Sequence, residues 1–537
     1  MSVTQERFDV VVVGSGAAGL MTAIRTANAG LTTLVLESSS QFGGTTALSG
    51  GRIWIPANGT PENEGDTPES ARRYLSQIFD PRFPEFIDLL VDDAVRMRDF
   101  VEERTAHRFV VCPNYPDYHP HLEGATIGGR CFDMQVLQLD DLVAESSNVR
   151  MAPGYLPITH REWEAWRYPE NMDMALLRER LANGGRTGGV ALAAALVDGA
   201  VRAGAVLRPN TAVVGTLRDG DAVSGVVVDG AGGGAKVRAR AVVLASGGFD
   251  GDSALRERLL PAGLSVSASA PSNTGIALRV AEQVGADVEN LAGGWWMPMA
   301  LVPGDEVDGR PYPRGLVRER GVPRSIIVNE SGSRFIDEAS PYNEFGKAMH
   351  FVDGDGGTPN RVAWLVFDEG FRERYPFPGL TAKGPLPAHV ESAGTLEELA
   401  EQIGVDASGL VGTVAGWNRA VSVGIDDELG RGGNAYDRYY GDPWAGDHPN
   451  FGPIDRAPFY ATRIYSGSIG SKGGPVTDVD GRVLRGEEPV DGLYAVGNAA
   501  AFWTGDGYPG PGATLAVGMV MGLRAGDAIE RSLAPRR

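Results

Sequence analysis

The sequence predicts an α/β protein in which one parallel-sheet domain is split in two by an inserted α+β unit. Three observations predict it. Phe8 to Val13 is a continuous valine-rich run, as in a strand buried on both faces, and it passes straight into Gly14-Ser15-Gly16-Ala17-Ala18-Gly19. A second apolar run, Ala241 to Ala245, also ends in small residues, Ser246-Gly247-Gly248. A third, Gly492 to Val496, meets Gly497-Asn498 near the end of the chain and precedes a helical stretch.

Taken in order, residues 17–29 are rich in Ala, Leu, Met and Ile and read as a helix stopped by Gly30. Leu31 to Glu37 then reads as the second strand of a βαβ unit. Residues 188–204 read as an Ala-rich helix, followed by short Val-rich strands broken at Asp219-Gly220-Asp221 and at the glycine-rich 230–234, and the run ending at Gly248 is the return strand. Residues 301–460 are richer in Pro, Trp and Tyr with weaker periodicity, the mark of an inserted unit. Ala513 to Ala528 reads as a final helix. The expected domains are therefore 1–300 and 461–537, forming one split unit, with 301–460 between them.

A chain of 537 residues exceeds what a single core supports. Its formal charge of -20 repels phosphate backbones, so nucleic acid is not expected as a partner. Cys112 and Cys131 form no CxxC and the seven histidines show no HxxxH or HExxH spacing, which argues against a metal site and fits a cytoplasmic location. The N-terminus lacks a basic leader region, and no apolar run approaches the ~20 residues of a membrane helix, leaving only peripheral membrane association open.

Gly14, Gly16 and Gly19 match G-x-G-x-x-G, whose glycines permit a tight turn, close approach of backbone to pyrophosphate and close packing of helix on strand. Ser15 and Ala18 lie within the loop, and the helix N-terminus favours phosphate charge. Glu37, at the end of the second strand, suits ribose hydroxyls. These features alone leave FAD and NAD both open. Phe42-Gly43-Gly44-Thr45-Thr46-Ala47-Leu48-Ser49-Gly50-Gly51 is a second small-residue stretch. It resembles the pyrophosphate-proximal loop of the fumarate reductase and ketosteroid dehydrogenase flavoproteins. Ala245-Ser246-Gly247-Gly248-Phe249 and Gly497-Asn498 resemble their later FAD contacts, with Asn in place of the more common Asp. The resemblance implies non-covalent FAD in a split Rossmann-like FAD-binding domain with an inserted α+β catalytic (cap) domain. It also implies cofactor contacts at Ser38, Val213, Ala513, Thr514 and Leu515.

Three tyrosines sit in pinned segments: Tyr118 in NYPDYHP, Tyr342 in SPYNEFG and Tyr508 in GYPGPG. On the residues alone each is an aromatic that packs its ring and hydrogen-bonds its hydroxyl. The runs at 325–349, 431–443, 471–485 and 508–512 are similar to 3-ketosteroid Δ1-dehydrogenases, along nearly the whole chain. That resemblance implies that Tyr508 and the Gly512 N–H polarise a C3 carbonyl, Tyr342 takes the C2 proton, and flavin N5 accepts the C1 hydride. A free tyrosine has a pKa near ~10, so the base needs a partner that favours its ionised form. Tyr118 is the implied partner, with Tyr115 close by as the alternative.

The expected function is thus FAD-dependent 1,2-desaturation of a 3-ketosteroid, with an unidentified electron acceptor as second partner. A desaturase of a non-steroid cyclic ketone stays open. A fumarate- or urocanate-type reductase needs Arg and His clustered at the flavin, where the corresponding segments offer tyrosines. A flavin-binding sensor has no need of a hydroxyl and an N–H converging at YPGPG. Arg334 and Glu338 read as a structural ion pair, and Trp295 and Trp296 as pocket lining or core.

Overall fold

The structure is a computed structural model that describes residues 6–229, 234–382 and 384–534. The first five residues of the N-terminal stretch and most of the glycine-rich break expected at 230–234 lie outside the described residues.

The first strand, Glu6–Val13, begins before the apolar run, because its charged outer end already pairs with Ala235–Leu244. The helix Ala17–Asn28 follows, and Gly30, with φ of 80°, turns the chain back. Thr33–Leu36 then lies parallel to Val10–Val13. Across the sheet the order is 482–485, 488–495, 235–244, 6–13, 33–36 and 206–208, so both ends of the chain contribute strands. The return strand is longer than its apolar run: its outer part carries the antiparallel meander of Val213–Asp219 and Ala222–Val228, and only its inner part lies on Val10–Val13. The long final helix, Ala513–Leu533, packs on Ala17–Asn28. A Cβ at Gly522 would lie 2.3 Å from the Ala18 carbonyl oxygen, and Thr22 Oγ1 donates to the Gly522 carbonyl at 3.0 Å.

A second sheet runs in the order 314–315, 294–300, 459–471, 363–368 and 325–329. Phe459–Ser471 is its spine, pairing with Gly294–Ala300 along one part and Ala363–Asp368 along another. By strand pairing, this sheet takes in residues on both sides of the limits expected at 301 and 460. Gly294–Ala300 is buried along its whole length, so no alternation of polar and apolar residues announced it. The helix Tyr342–Met349 lies directly on that strand. A Cβ at Gly346 would be 2.4 Å from Trp296 Cβ, and Asn343 Oδ1 accepts the Trp296 N–H at 3.1 Å. Trp295 is core, its ring edge-on to Tyr508 with centres 4.9 Å apart. Arg334 and Glu338 do pair, at 2.7 Å, and the buried cluster extends to Asp426 and Arg431.

Among the described residues no helix is long and apolar enough to cross a membrane, and no cluster of three or more His, Cys, Asp or Glu is arranged to hold a metal ion.

Candidate active site

The C-terminal ends of the parallel strands open on one cavity of about 690 Å³, the place where open α/β sheets receive ligands. Gly14, Ser15, Gly16 and Ala18 line it beside Glu37 and Ser38. The second loop adds Gly44, Thr45, Thr46, Ser49, Gly50 and Gly51, and Val213 closes that end. Ala245, Gly247, Gly497, Asn498, Thr514 and Leu515 continue the wall toward Tyr118, Tyr342, Tyr508 and Gly512. Four expected contacts stand behind this wall. A Cβ at Gly19 would meet the Gly14 carbonyl at 2.4 Å, one at Gly43 would meet Ala47 Cβ at 2.8 Å, and one at Gly248 would meet Ser471 Oγ at 2.1 Å. These glycines let neighbouring groups approach closely, and Ala513 is the buried first residue of the final helix.

The fit to a long dinucleotide rests on this shape. Gly14 (φ of 105°) leaves no room for a Cβ, which would sit 2.5 Å from the Ala245 carbonyl oxygen, and Gly51 leaves none against Gly188, at 2.2 Å. The loops are tied to one another by their own hydroxyls. Ser15 Oγ donates to Glu37 Oε2 at 2.7 Å and accepts the Gly43 N–H at 3.0 Å, while Thr46 Oγ1 accepts the Ala17 N–H at 3.0 Å. Ser246 Oγ, in the stretch that resembles a later FAD contact, lines the cavity and is buried with no partner among the described residues. The N-terminus of Ala17–Asn28 and the orphan Ser246 hydroxyl suit pyrophosphate and polar ring atoms.

The tyrosines come together from three distant segments. Tyr118 donates to Tyr342 at 2.9 Å, and Tyr342 donates to Tyr508 at 2.7 Å. The Tyr118 and Tyr508 segments are tied to each other through backbone. The Pro509 carbonyl accepts both the Tyr118 N–H, at 3.0 Å, and the Tyr74 hydroxyl, at 2.5 Å. Asp117 holds its own segment by accepting from Trp54 Nε1 and Arg130 Nη1, each at 2.7 Å. Tyr115 points elsewhere, its hydroxyl paired with that of Tyr440. Burial pushes the hydroxyls of Tyr118 and Tyr342 well above the usual tyrosine range, and that of Tyr508 also upward. The bond from Tyr118 pulls Tyr342 the other way. Gly512, with φ of 93°, precedes the final helix; a Cβ there would lie 2.4 Å from the Arg52 backbone.

Sequence reasoning found no Arg and His together at the cofactor. The structure places Arg52 and His160 side by side in the cavity wall, with Arg52 Nη2 2.8 Å from His160 Nδ1. His160 Nε2 meets the Tyr439 hydroxyl at 2.7 Å, so neither ring nitrogen is free to protonate a substrate. The available signal was Arg52 directly after Gly50-Gly51; its partners lie far along the chain. Lys472, in the SKGGPV run, was also missed. It is buried, its Nζ lies 3.7 Å from the centre of the Trp295 ring and donates to the Gly505 carbonyl at 2.6 Å, and burial lowers its pKa to about 7.

A family model described as FAD binding domain matches residues 9–515. The 4-oxocyclohexanecarboxylate 2-dehydrogenase of Sinomonas cyclohexanicum is 37% identical, over 97% of this chain and 92% of its own. The 3-oxosteroid 1-dehydrogenase of Mycobacterium tuberculosis (strain ATCC 25618 / H37Rv) is 36% identical, over 97% of this chain and 98% of its own. The crystal structure of 3-ketosteroid Δ1-dehydrogenase from Sterolibacterium denitrificans, in complex with 1,4-androstadiene-3,17-dione, matches with a TM-score of 0.91 at 35% identity, covering 98% of this chain and all of that one. The chain therefore belongs to the FAD binding domain family, among the relatives of the 3-oxosteroid 1-dehydrogenases, and is an FAD-dependent oxidoreductase.

Proposed function

We propose that the chain desaturates a ring ketone between its α- and β-carbons, as in 1,2-desaturation of a 3-ketosteroid. The observation that carries this reading is the series of three tyrosine hydroxyls on the wall of the same cavity that the cofactor loops line. The Tyr508 hydroxyl and the Gly512 N–H hold the carbonyl oxygen and stabilise charge as the α-proton leaves. Tyr342 takes that proton, and Tyr118 favours its ionised form. FAD, when bound, supplies the two-electron oxidant that removes hydride from the β-carbon. The cavity-lining residues between Gly14 and Gly51, with Val213, the Ala245-Gly247 turn, Gly497, Asn498, Thr514 and Leu515, would hold it. The split unit, 1–300 with 461–537, would carry the cofactor, and the helix Tyr342–Met349 of the inserted unit brings Tyr342 to the wall of the same cavity. Turnover needs an electron acceptor besides the ketone.

A second reading, a smaller ring ketone, is favoured by Arg52 in the cavity wall. It shares every step. The test is anaerobic titration of the FAD-bound protein with androst-4-ene-3,17-dione, 4-oxocyclohexanecarboxylate and cyclohexanone. Bleaching of the oxidised flavin with formation of the new ring double bond supports the reading. No bleaching with any of the three overturns it.

A further inference from the structure

We infer that Arg52 is an anchor for a carboxylate on the substrate, so that the site selects a ring ketone carrying an anionic group across the ring from its carbonyl. This rests on the desaturase reading above. Arg52 and Gly512 stand back to back: a Cβ at Gly512 would lie 2.4 Å from the Arg52 carbonyl group. The guanidinium is therefore carried by the residue that touches the carbonyl-binding turn, and both line the one cavity.

The charge of Arg52 lacks a close counter-ion. Among the described residues no carboxylate oxygen lies within ion-pair distance of it, whereas the neighbouring Arg314 in the same wall is paired with Asp305 at 2.5 Å. Its Nε and Nη2 meet His160 Nδ1 at 3.2 and 2.8 Å. Its Nη1 makes no hydrogen bond among the described residues and lies beside Gly50, 2.7 Å from where a Cβ there would stand. His160 is kept neutral, because burial and the Arg52 charge both disfavour its protonation. Asp133 acts on Arg52 at longer range, its Oδ2 accepting the His160 N–H at 2.5 Å. Glu319 also reaches the wall, but burial pushes its pKa up and so weakens it as a counter-ion.

The surroundings hold the guanidinium still. His160 Nε2 meets Tyr439 Oη, which donates to Glu164 Oε1 at 2.8 Å. The Tyr115 ring stacks on both His160 and Tyr439, with centres 5.0 and 4.9 Å apart. Burial disfavours a lone cation, Asp133 outweighs it and keeps this one charged, and an arginine fork fixed from behind presents its free edge to a carboxylate. A neutral steroid ring offers that edge nothing.

The test uses FAD-bound protein and two probes that cannot be oxidised next to a ketone, cyclohexanecarboxylate and its neutral amide. Binding is read from perturbation of the flavin spectrum. The carboxylate is expected to bind about 30-fold tighter than the amide. Arg52→Gln should abolish that preference and Arg52→Lys should keep part of it. In turnover, the kcat/KM ratio of 4-oxocyclohexanecarboxylate to its amide should fall by a similar factor in Arg52→Gln, mainly through KM. Equal binding of the two probes to the unaltered protein overturns the inference, and so does a preference that survives Arg52→Gln while only the flavin potential shifts. The comparison on unaltered protein does not depend on any variant folding. A preference for the carboxylate without bleaching by any ketone would keep this site and remove the desaturase reading; bleaching without the preference would do the reverse.

Discussion

Replacing Tyr118 by Phe removes one hydroxyl and leaves the ring, so it isolates the bond donated to Tyr342 at 2.9 Å. Burial has already driven the Tyr342 hydroxyl well above the usual tyrosine range. A hydrogen bond to an ionised acceptor contributes about 1.5–3 kcal/mol, and one pKa unit corresponds to about 1.4 kcal/mol. Loss of the bond should therefore raise the apparent pKa of Tyr342 by about one to two units. The ionised form is the base, so below its pKa the rate rises about tenfold per pH unit. At any pH on that limb Tyr118→Phe should be slower by about 10- to 100-fold, with the same slope displaced to higher pH. Tyr342→Phe should lose about 10²- to 10⁴-fold and lose the slope as well. The assay is stopped-flow bleaching of the flavin without oxygen, at saturating ketone, across a pH series, with flavin content measured for every variant. An undisplaced profile in Tyr118→Phe, or a wild-type slope in Tyr342→Phe, refutes the assignment.

Gly14→Ala should yield folded protein with little FAD, read from the flavin-to-protein absorbance ratio, because φ of 105° and a Cβ 2.5 Å from the Ala245 carbonyl forbid the turn; full flavin content would remove Gly14 from this role. Lys472→Met frees the Gly505 and Gly507 carbonyls that tie down the Tyr508 segment. The expected loss is about tenfold in kcat with FAD retained, and an unchanged kcat would show that the segment holds without it. Glu338→Gln leaves Arg334 and Arg431 short of a buried partner, at a cost of about 3–5 kcal/mol at neutral pH. Burial opposes ionisation of Glu338, but the two arginines outweigh it and hold its pKa below the ordinary value. Its stabilisation is thus complete above the unfolded value of ~4.3 and is lost as pH falls through the lower folded one. Denaturation midpoints of the two proteins should converge in acid, and equal midpoints at neutral pH would overturn the estimate.

The cofactor end was legible because its constraints are local. A buried strand, three glycines and a helix within thirty residues can hardly be satisfied another way, and Glu6–Val13, Ala17–Asn28 and Thr33–Leu36 appear where the pattern put them within a few residues. The second sheet was not legible to the same degree. Phe459–Ser471 is buried on both faces for most of its length, so period two is erased, and its partners at 294–300 lie far away in sequence. The choice between Tyr115 and Tyr118 had the same character. Both are buried tyrosines three residues apart, and only the tertiary positions of Tyr440 and Tyr342 give each hydroxyl its partner. Arg52 was visible as a residue but not as a site, because His160 and Tyr439, which orient it, come from separate segments.

The order of donors along the tyrosine series bears on how a dry site can use a phenol as base. Excluding water strengthens the hold on a carbonyl oxygen but raises the pKa of every hydroxyl that lines the site. Tyr118 gives its proton to Tyr342, and Tyr342 gives its own to Tyr508, so the Tyr508 proton is the one left to face a ligand. A carbonyl drawing on that proton makes the Tyr508 oxygen a better acceptor for the proton of Tyr342. As charge gathers on the carbonyl oxygen, loss of the Tyr342 proton becomes easier; once ionised, Tyr342 donates to neither neighbour, keeps the bond from Tyr118, and takes the proton of the adjacent carbon while the Tyr508 proton stays directed at the carbonyl oxygen. The three hydroxyls thereby couple polarisation of the ketone to activation of the base, which a lone buried tyrosine cannot do. On this reading Tyr508→Phe should displace the pH profile of Tyr342 as well as weaken ketone binding, because it cuts the series at the carbonyl end. A Tyr508→Phe variant with a raised KM but an undisplaced profile would show that the two roles are independent.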